Sequence, residues 1–315
     1  MRLLVVGAGS TGGYFGGRLA QAGRDVTFLV RPHRAELLRT DGLRIVSPHG
    51  DANLHPVVVT AGSLTRPYDA ILLAVKAYSL NAALEDFAPA VGATTLIVPV
   101  LNGMKHLKVL TARFGPACLV GGLCFIVTTV DEAGRIVQLT EQHELAYGEL
   151  NGTRSARIQA LDDFMKGAGF DARLSATVER EMWEKWVLLA SMGAITCLLR
   201  GTIGEVQAAP GGADVTDRLL KEVTDVVYAV GVRPSDAFLS RARTILTASG
   251  SKQASSMYRD LERGSPIEAD QIIGDLLARA QKLKISTPLL AAAYAQLSIY
   301  ESRHRRAQQL PFNIG

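Results

Sequence analysis

The 315-residue chain predicts an α/β domain followed by an all-helical domain, and three observations carry that prediction. An apolar N-terminal run, Met1 to Val6, leads directly into Gly7-Ala8-Gly9-Ser10-Thr11-Gly12 and then into a helix-like stretch at residues 14–22. Near-continuous apolar runs recur at residues 3–6, 26–30, 70–75 and 95–100, each followed by polar or helical sequence, as parallel strands covered on both faces require. Beyond Gly169-Phe170 the alternation stops, and helical segments follow one another with glycine and proline between them.

The first element is fixed by a spaced motif. Gly7-x-Gly9-x-x-Gly12 lies between a strand and a helix, and a second strand at residues 25–30 follows where a Rossmann-like βαβ unit places it. Gly7 allows the tight turn, and Gly9 lets the backbone of the Gly7-Ala8-Gly9-Ser10-Thr11-Gly12 loop approach a pyrophosphate. Gly12 lets the helix pack close to the strand, while the helix N-terminus offers unpaired N–H donors to the anion. A plain glycine-rich turn of some other α/β domain is the alternative. Which dinucleotide is read from the second strand's end, where Val30-Arg31-Pro32-His33-Arg34 replaces the acid of an NAD site. A carboxylate repels a 2′-phosphate, whereas a guanidinium pairs with it bidentately. Arg31 therefore points to NADP(H), with Arg34 as a second clamp, against the reading of Arg31 as a solvated loop charge.

The remaining elements follow in order. Residues 119–130 and 135–140 flank Asp131-Glu-Ala-Gly134 and read as a hairpin added antiparallel to the sheet edge, with residues 143–148 as a further strand. Helices are expected at residues 178–199, 214–230, 235–249, 266–284 and 288–309. The boundary is set near residue 175, giving an NADP-binding domain at 1–175 and a helical substrate domain at 176–315, with the active site expected between them.

Composition limits the partners. With 34 Lys+Arg against 30 Asp+Glu the chain is only slightly basic, which suits an anionic cofactor and substrate and excludes a nucleic-acid footprint. Cys118, Cys124 and Cys197 lack metal spacing, so reduced thiols and a cytoplasmic location are expected, with no metal. The longest apolar run, residues 186–199, is too short to span a bilayer, and no membrane partner is expected.

Four polar residues stand where chemistry could occur. Lys76 closes the run Ile71-Leu-Leu-Ala-Val75, at a strand's C-terminal edge where open α/β sheets bind ligands; a charge that merely ends a strand is the other reading. Asn102 takes the equivalent place after Val100-Leu101, although Asn-Gly is also a common turn. Lys185 lies between tryptophans and leucines; partial burial would suit it to proton transfer, and a surface pair with Glu181 is the alternative. Glu268 completes Ser265-Pro266-Ile267-Glu268, which reads as a capping box and needs no further function.

In this order the chain resembles the ketopantoate reductases (2-dehydropantoate 2-reductases). The resemblance is carried by the glycine motif, Arg31, Val75-Lys76-Ala77, Leu101-Asn102-Gly103-Met104, Met182-Trp183-x-Lys185, Ser255-Ser256-Met257-x-x-Asp260 and Pro266-Ile267-Glu268. It implies reduction of ketopantoate to pantoate by hydride from NADPH, with Lys185 as proton donor and Glu268 bonding the substrate hydroxyl. It further implies Asn102 and Lys76 on substrate and nicotinamide, and Ser256 on the substrate carboxylate. A homodimer is compatible with it. Family members carry two asparagines one and two turns beyond the lysine; here those positions are Leu189 and Gly193, with Ser191 or Thr196 as the alternative donors, in a less favourable helical phase. Two rivals therefore stand: a 2-hydroxy acid dehydrogenase acting on another branched or aromatic 2-keto acid, and a catalytically silent NADP-binding regulator.

Overall fold

The opening apolar run forms β1 (Arg2–Val6) and the glycine loop turns it into α1 (Ser10–Gln21), followed by β2 (Asp25–Leu29) and α2 (Pro32–Thr40). These belong to a computed structural model that describes residues 1–309. Two compact units emerge: Met1–Leu101 with His106–Glu179, and Asn102–Lys105 with the chain from Arg180 onward. In the first unit β3 (Leu43–Val46), β4 (Ala52–Leu54), β5 (Val57–Val59), β6 (Ala70–Leu73), α3 (Leu80–Phe87), β7 (Leu96–Pro99) and α4 (Lys105–Phe114) come next. β5, β2, β1, β6 and β7 pair in that order, all parallel; four of these strands are the predicted apolar runs, and β5 was not among them. Alternate residues point to opposite faces of a strand, so Leu3 and Val5 join one core cluster while Leu4 and Val6 join another. Glycine lets α1 lie close to this sheet. A Cβ at Gly16 would stand 2.8 Å from both Val5 and the Phe28 ring.

The expected hairpin forms, but in a second sheet; it meets the parallel sheet's edge strand β7 only through an isolated parallel bridge, Ile97↔Leu119, just before β8. β8 (Gly121–Val130) and β9 (Ile136–Gly148) pair antiparallel from Gly121↔Gly148 to Val130↔Ile136, and residues 143–148 continue β9 rather than adding a strand. β9 centres a second sheet, pairing parallel with β3 and with β10 (Asp171–Leu174), which follows α5 (Ala156–Met165). The alternation of these segments fixes which face is buried but not the partner strand, and β9 meets β3 through Ile45↔Ile136 and Val46↔Val137.

The second unit holds α6 (Val178–Leu199), α7 (Ile203–Ala208), α8 (Gly212–Ala229), α9 (Asp236–Leu246), α10 (Ser256–Glu262), α11 (Asp275–Lys282) and α12 (Pro288–Gln309). α6 extends well beyond the apolar run at 186–199. At 22 residues it is long and apolar enough to cross a membrane, but 61% of its most apolar window is buried inside the protein, as in a core helix.

The capping box at Ser265–Glu268 does not form. Residues 265–268 are irregular, because the Ser265 N–H donates to the Asp260 carbonyl as α10 unwinds and Tyr300 Oη donates to the Ser265 carbonyl. The helix starts after Glu268 instead. A true box caps α7, where Thr202 Oγ1 accepts from the Glu205 N–H at 3.3 Å and Glu205 Oε2 accepts from the Thr202 N–H at 2.7 Å.

Candidate active site

In the first unit the glycine loop forms the turn the motif requires. Gly7 has φ +96° and donates its N–H to the Leu29 carbonyl at 3.0 Å, which ties the loop to β2. A Cβ at Gly12 would lie 2.1 Å from the Gly7 carbonyl oxygen, so the first turn of α1 can lie this close to the loop only on glycine. Gly9, at the N-cap of α1, is the opposite case: nothing lies within 4 Å of where its Cβ would be. That open space lies beside the N-terminus of α1, where helix N–H groups favour an anion.

The cationic end of the loop is built from α2 and its neighbours. Arg31 is exposed and donates Nη2–H to Ser79 Oγ at 3.2 Å. Arg34 is half-buried, donating to the Ala8 carbonyl at 3.3 Å and to the Gly134 carbonyl at 3.4 Å. Arg44 donates to the adjacent Ala133 carbonyl. Burial, and then the neighbouring Arg44, pull the Arg34 guanidinium below its ordinary value. Among the described residues neither Arg31 nor Arg34 has a carboxylate partner. Cations without a counter-charge beside the glycine loop fit the 2′-phosphorylated dinucleotide. Lys76 is exposed three residues beyond β6 and opens the short 3₁₀ turn Ala77–Ser79, whose last residue accepts from Arg31.

In the second unit Lys185 is half-buried on α6, two residues after Trp183 and directly before Trp186. The two indoles pack 5.2 Å apart, and the Arg279 guanidinium lies over both. Trp186 donates its Nε1–H to the Ile272 carbonyl at 2.8 Å. Ile272 belongs to a π turn, Asp270–Gly274, that starts two residues after the buried Glu268. Gln271 of the same turn donates Nε2–H to the Asn102 carbonyl at 2.9 Å. The structure thus brings Asn102, Lys185 and Glu268 onto one framework. Ser256 opens α10, capped by the Ser255 hydroxyl, which accepts from the Tyr258 N–H at 3.0 Å.

The positions beyond Lys185 are apolar. A Cβ at Gly193 would stand 2.9 Å from Cε of the buried Met257, so the thioether methyl fills the place a side chain would take. Thr196 Oγ1 is engaged by the Met192 carbonyl at 2.7 Å and Ser255 Oγ at 2.9 Å. Ser191 Oγ is fully buried with no hydrogen-bond partner among the described residues.

The family description "Ketopantoate reductase PanE/ApbA" matches residues 3–152, and "Ketopantoate reductase PanE/ApbA C terminal" matches residues 177–301. The chain is 30% identical over 301 residues to a 2-dehydropantoate 2-reductase of Halobacterium salinarum, covering 92% of this chain and 95% of that one. The chain belongs to the ketopantoate reductase family. It is also similar, at 37% identity over 96% of this chain and 99% of the relative, to the uncharacterized oxidoreductase YkpB of Bacillus subtilis. The crystal structure of 2-dehydropantoate 2-reductase from Geobacter metallireducens superposes with a TM-score of 0.85 at 27% identity, covering 95% of this chain and 99% of that one. As a ketopantoate reductase family member the chain is an oxidoreductase, and NADP(H) is the family's cofactor. Sequence reasoning missed Trp186, Gln271 and Asp270. Trp186 was visible beside Lys185, but nothing local marks Gln271 as buried or says that its amide reaches Asn102.

Proposed function

We propose that this protein catalyses NADPH-dependent reduction of a 2-keto acid to the 2-hydroxy acid, with 2-dehydropantoate to pantoate as the reaction its family points to. The observation that supports this most is the Trp186–Ile272 hydrogen bond, which holds the Lys185 helix against the turn that follows Glu268. Bound NADPH supplies the hydride that adds to the keto carbon. The carbonyl oxygen gains negative charge as this happens, and the Lys185 ammonium both stabilises that charge and gives up a proton to it. Glu268 accepts a hydrogen bond from a substrate hydroxyl and so orients the carbonyl. Ser256 holds the carboxylate, and Asn102 and Lys76 position substrate and the nicotinamide side of the cofactor. The glycine loop carries the pyrophosphate, and Arg31 pairs with the 2′-phosphate. The buried thiols of Cys118, Cys124 and Cys197 suit action in the reducing cytoplasm.

One observation favours a second substrate. Leu189 and the Gly193–Met257 contact line the lysine's face of α6 with hydrocarbon, which suits another branched or aromatic 2-keto acid. Steady-state kinetics with NADPH across a panel of 2-keto acids decides between the two. Preference for 2-dehydropantoate supports the first substrate, preference for an unhydroxylated acid the second, and reduction of none overturns the proposed activity.

A further inference from the structure

The π turn at Asp270–Gly274 is where separate parts of the second unit meet. Widening a helix to i→i+5 bonding frees carbonyls for other donors, and such turns gather at functional sites. Here the Asp275 N–H closes the wide turn onto the Asp270 carbonyl. The Ile272 carbonyl takes the indole N–H of Trp186, the residue after Lys185. Gln271, only 6% exposed, gives its amide N–H to the Asn102 carbonyl. Gly103, at φ +76°, lets the two segments touch, since a Cβ there would lie 2.7 Å from the Gln271 carbonyl oxygen. Asp270 pairs with Lys105, three residues after Asn102, and accepts from Tyr294 Oη at 3.3 Å. The Glu268 carbonyl accepts the Ile272 N–H at 3.0 Å. A ring contact seals the far side, where a Cβ at Gly274 would meet Tyr294 at 2.8 Å.

A buried indole N–H and a buried amide must find acceptors somewhere. What sets these two apart is where the acceptors lie. One bond joins the turn to the helix of Lys185, the other joins it to the backbone of Asn102, and the turn itself follows Glu268. We propose that the π turn is the positioning element of the active site, with Trp186 and Gln271 as its positioning residues. Trp186 sets the rotation of α6 that aims Lys185, and Gln271 holds Asn102 in register with Glu268. The proposal rests on the roles given above to Lys185, Glu268 and Asn102.

The test uses Trp186→Phe, which keeps a ring and removes the donor, and Gln271→Met, which keeps length and burial and removes the amide. Both are expected to melt within a few degrees of wild type and to bind NADPH within about twofold by fluorescence titration. For Trp186→Phe, kcat should fall about 10-fold with little change in KM, and the solvent deuterium isotope effect on kcat should rise as proton transfer becomes limiting. For Gln271→Met, KM for the keto acid should rise about 10-fold. If one variant fails to fold, the other decides. Wild-type kcat, KM and isotope effect overturn the proposal, as do losses that track only the folded fraction. Lys185→Ala, assayed alongside, keeps the two ideas apart. Retained turnover there removes the assigned chemistry, while its loss beside two unaltered variants removes the positioning proposal alone.

Discussion

Arg31 stands exposed before α2 with a hydroxyl, Ser79 Oγ, as its hydrogen-bond partner, so its charge is not spent on a carboxylate. Arg31→Ala is expected to weaken NADPH at least about 10-fold, the scale of a charge-assisted bond, and to leave NADH nearly unchanged. Fluorescence titration of both nucleotides measures this, and equal losses would contradict the reading. His143 makes a different kind of prediction. Its Nδ1 contacts Tyr14 Oη at 2.8 Å, its ring stacks on His49 at 3.7 Å, and burial, then His49 and Arg18, depress its pKa against the opposing pull of Asp171. The folded state therefore favours neutral His143, while the unfolded chain protonates near its ordinary 6.5. This contribution is complete above that value and is lost as pH falls through the depressed folded value. Melting temperature should drop more steeply below about pH 6.5 in wild type than in His143→Gln, and parallel curves would refute the assignment. At this scale legibility was uneven. Gly7 and Gly12 could be read because the turn and the close approach they allow depend on near neighbours in the chain. The His143–His49–Tyr14 contact could not, since it joins residues as far apart as 129 positions.

Helix packing on glycine separates two kinds of site. Gly16 on α1 faces Val5 and the Phe28 ring at 2.8 Å, both fixed in buried strands. Gly193 on α6 faces the end of one flexible side chain, Met257 Cε at 2.9 Å. Gly16→Ala is expected to destabilise by about 1–3 kcal/mol through overpacking. Gly193→Ala should stay within about 1 kcal/mol of wild type, because Met257 can turn aside while the helix gains from alanine. Denaturant unfolding of both variants measures the difference, and equal costs would contradict it. Elements were legible where periodicity decides them: four of the parallel strands, α6 and α12 follow from apolar spacing. The hairpin was found but joined to the wrong sheet, since alternation names a buried face and not a partner strand. The capping box at Ser265 failed because its N–H is given to the Asp260 carbonyl at the end of α10 and its carbonyl takes the Tyr300 hydroxyl, whereas the box at Thr202 was left free to form. Nothing in local sequence marks the π turn, which exists through its contacts with Trp186, Asn102, Lys105 and Tyr294.

For the whole molecule, the division of labour runs along the chain. The first unit carries the glycine loop, Arg31 and Lys76; the second carries Asn102, Lys185, Ser256 and Glu268. Under the proposed function, cofactor binding and proton donation fall to different residues in different units, and they should be separable by mutation. A protein that only binds the dinucleotide would have no use for Lys185. The measurement that tests this most directly is Lys185→Ala, followed by NADPH titration and steady-state reduction of the preferred 2-keto acid. NADPH should bind with wild-type affinity while kcat falls at least about 100-fold, the scale of a lost proton donor. Near-wild-type turnover in that variant would contradict the account.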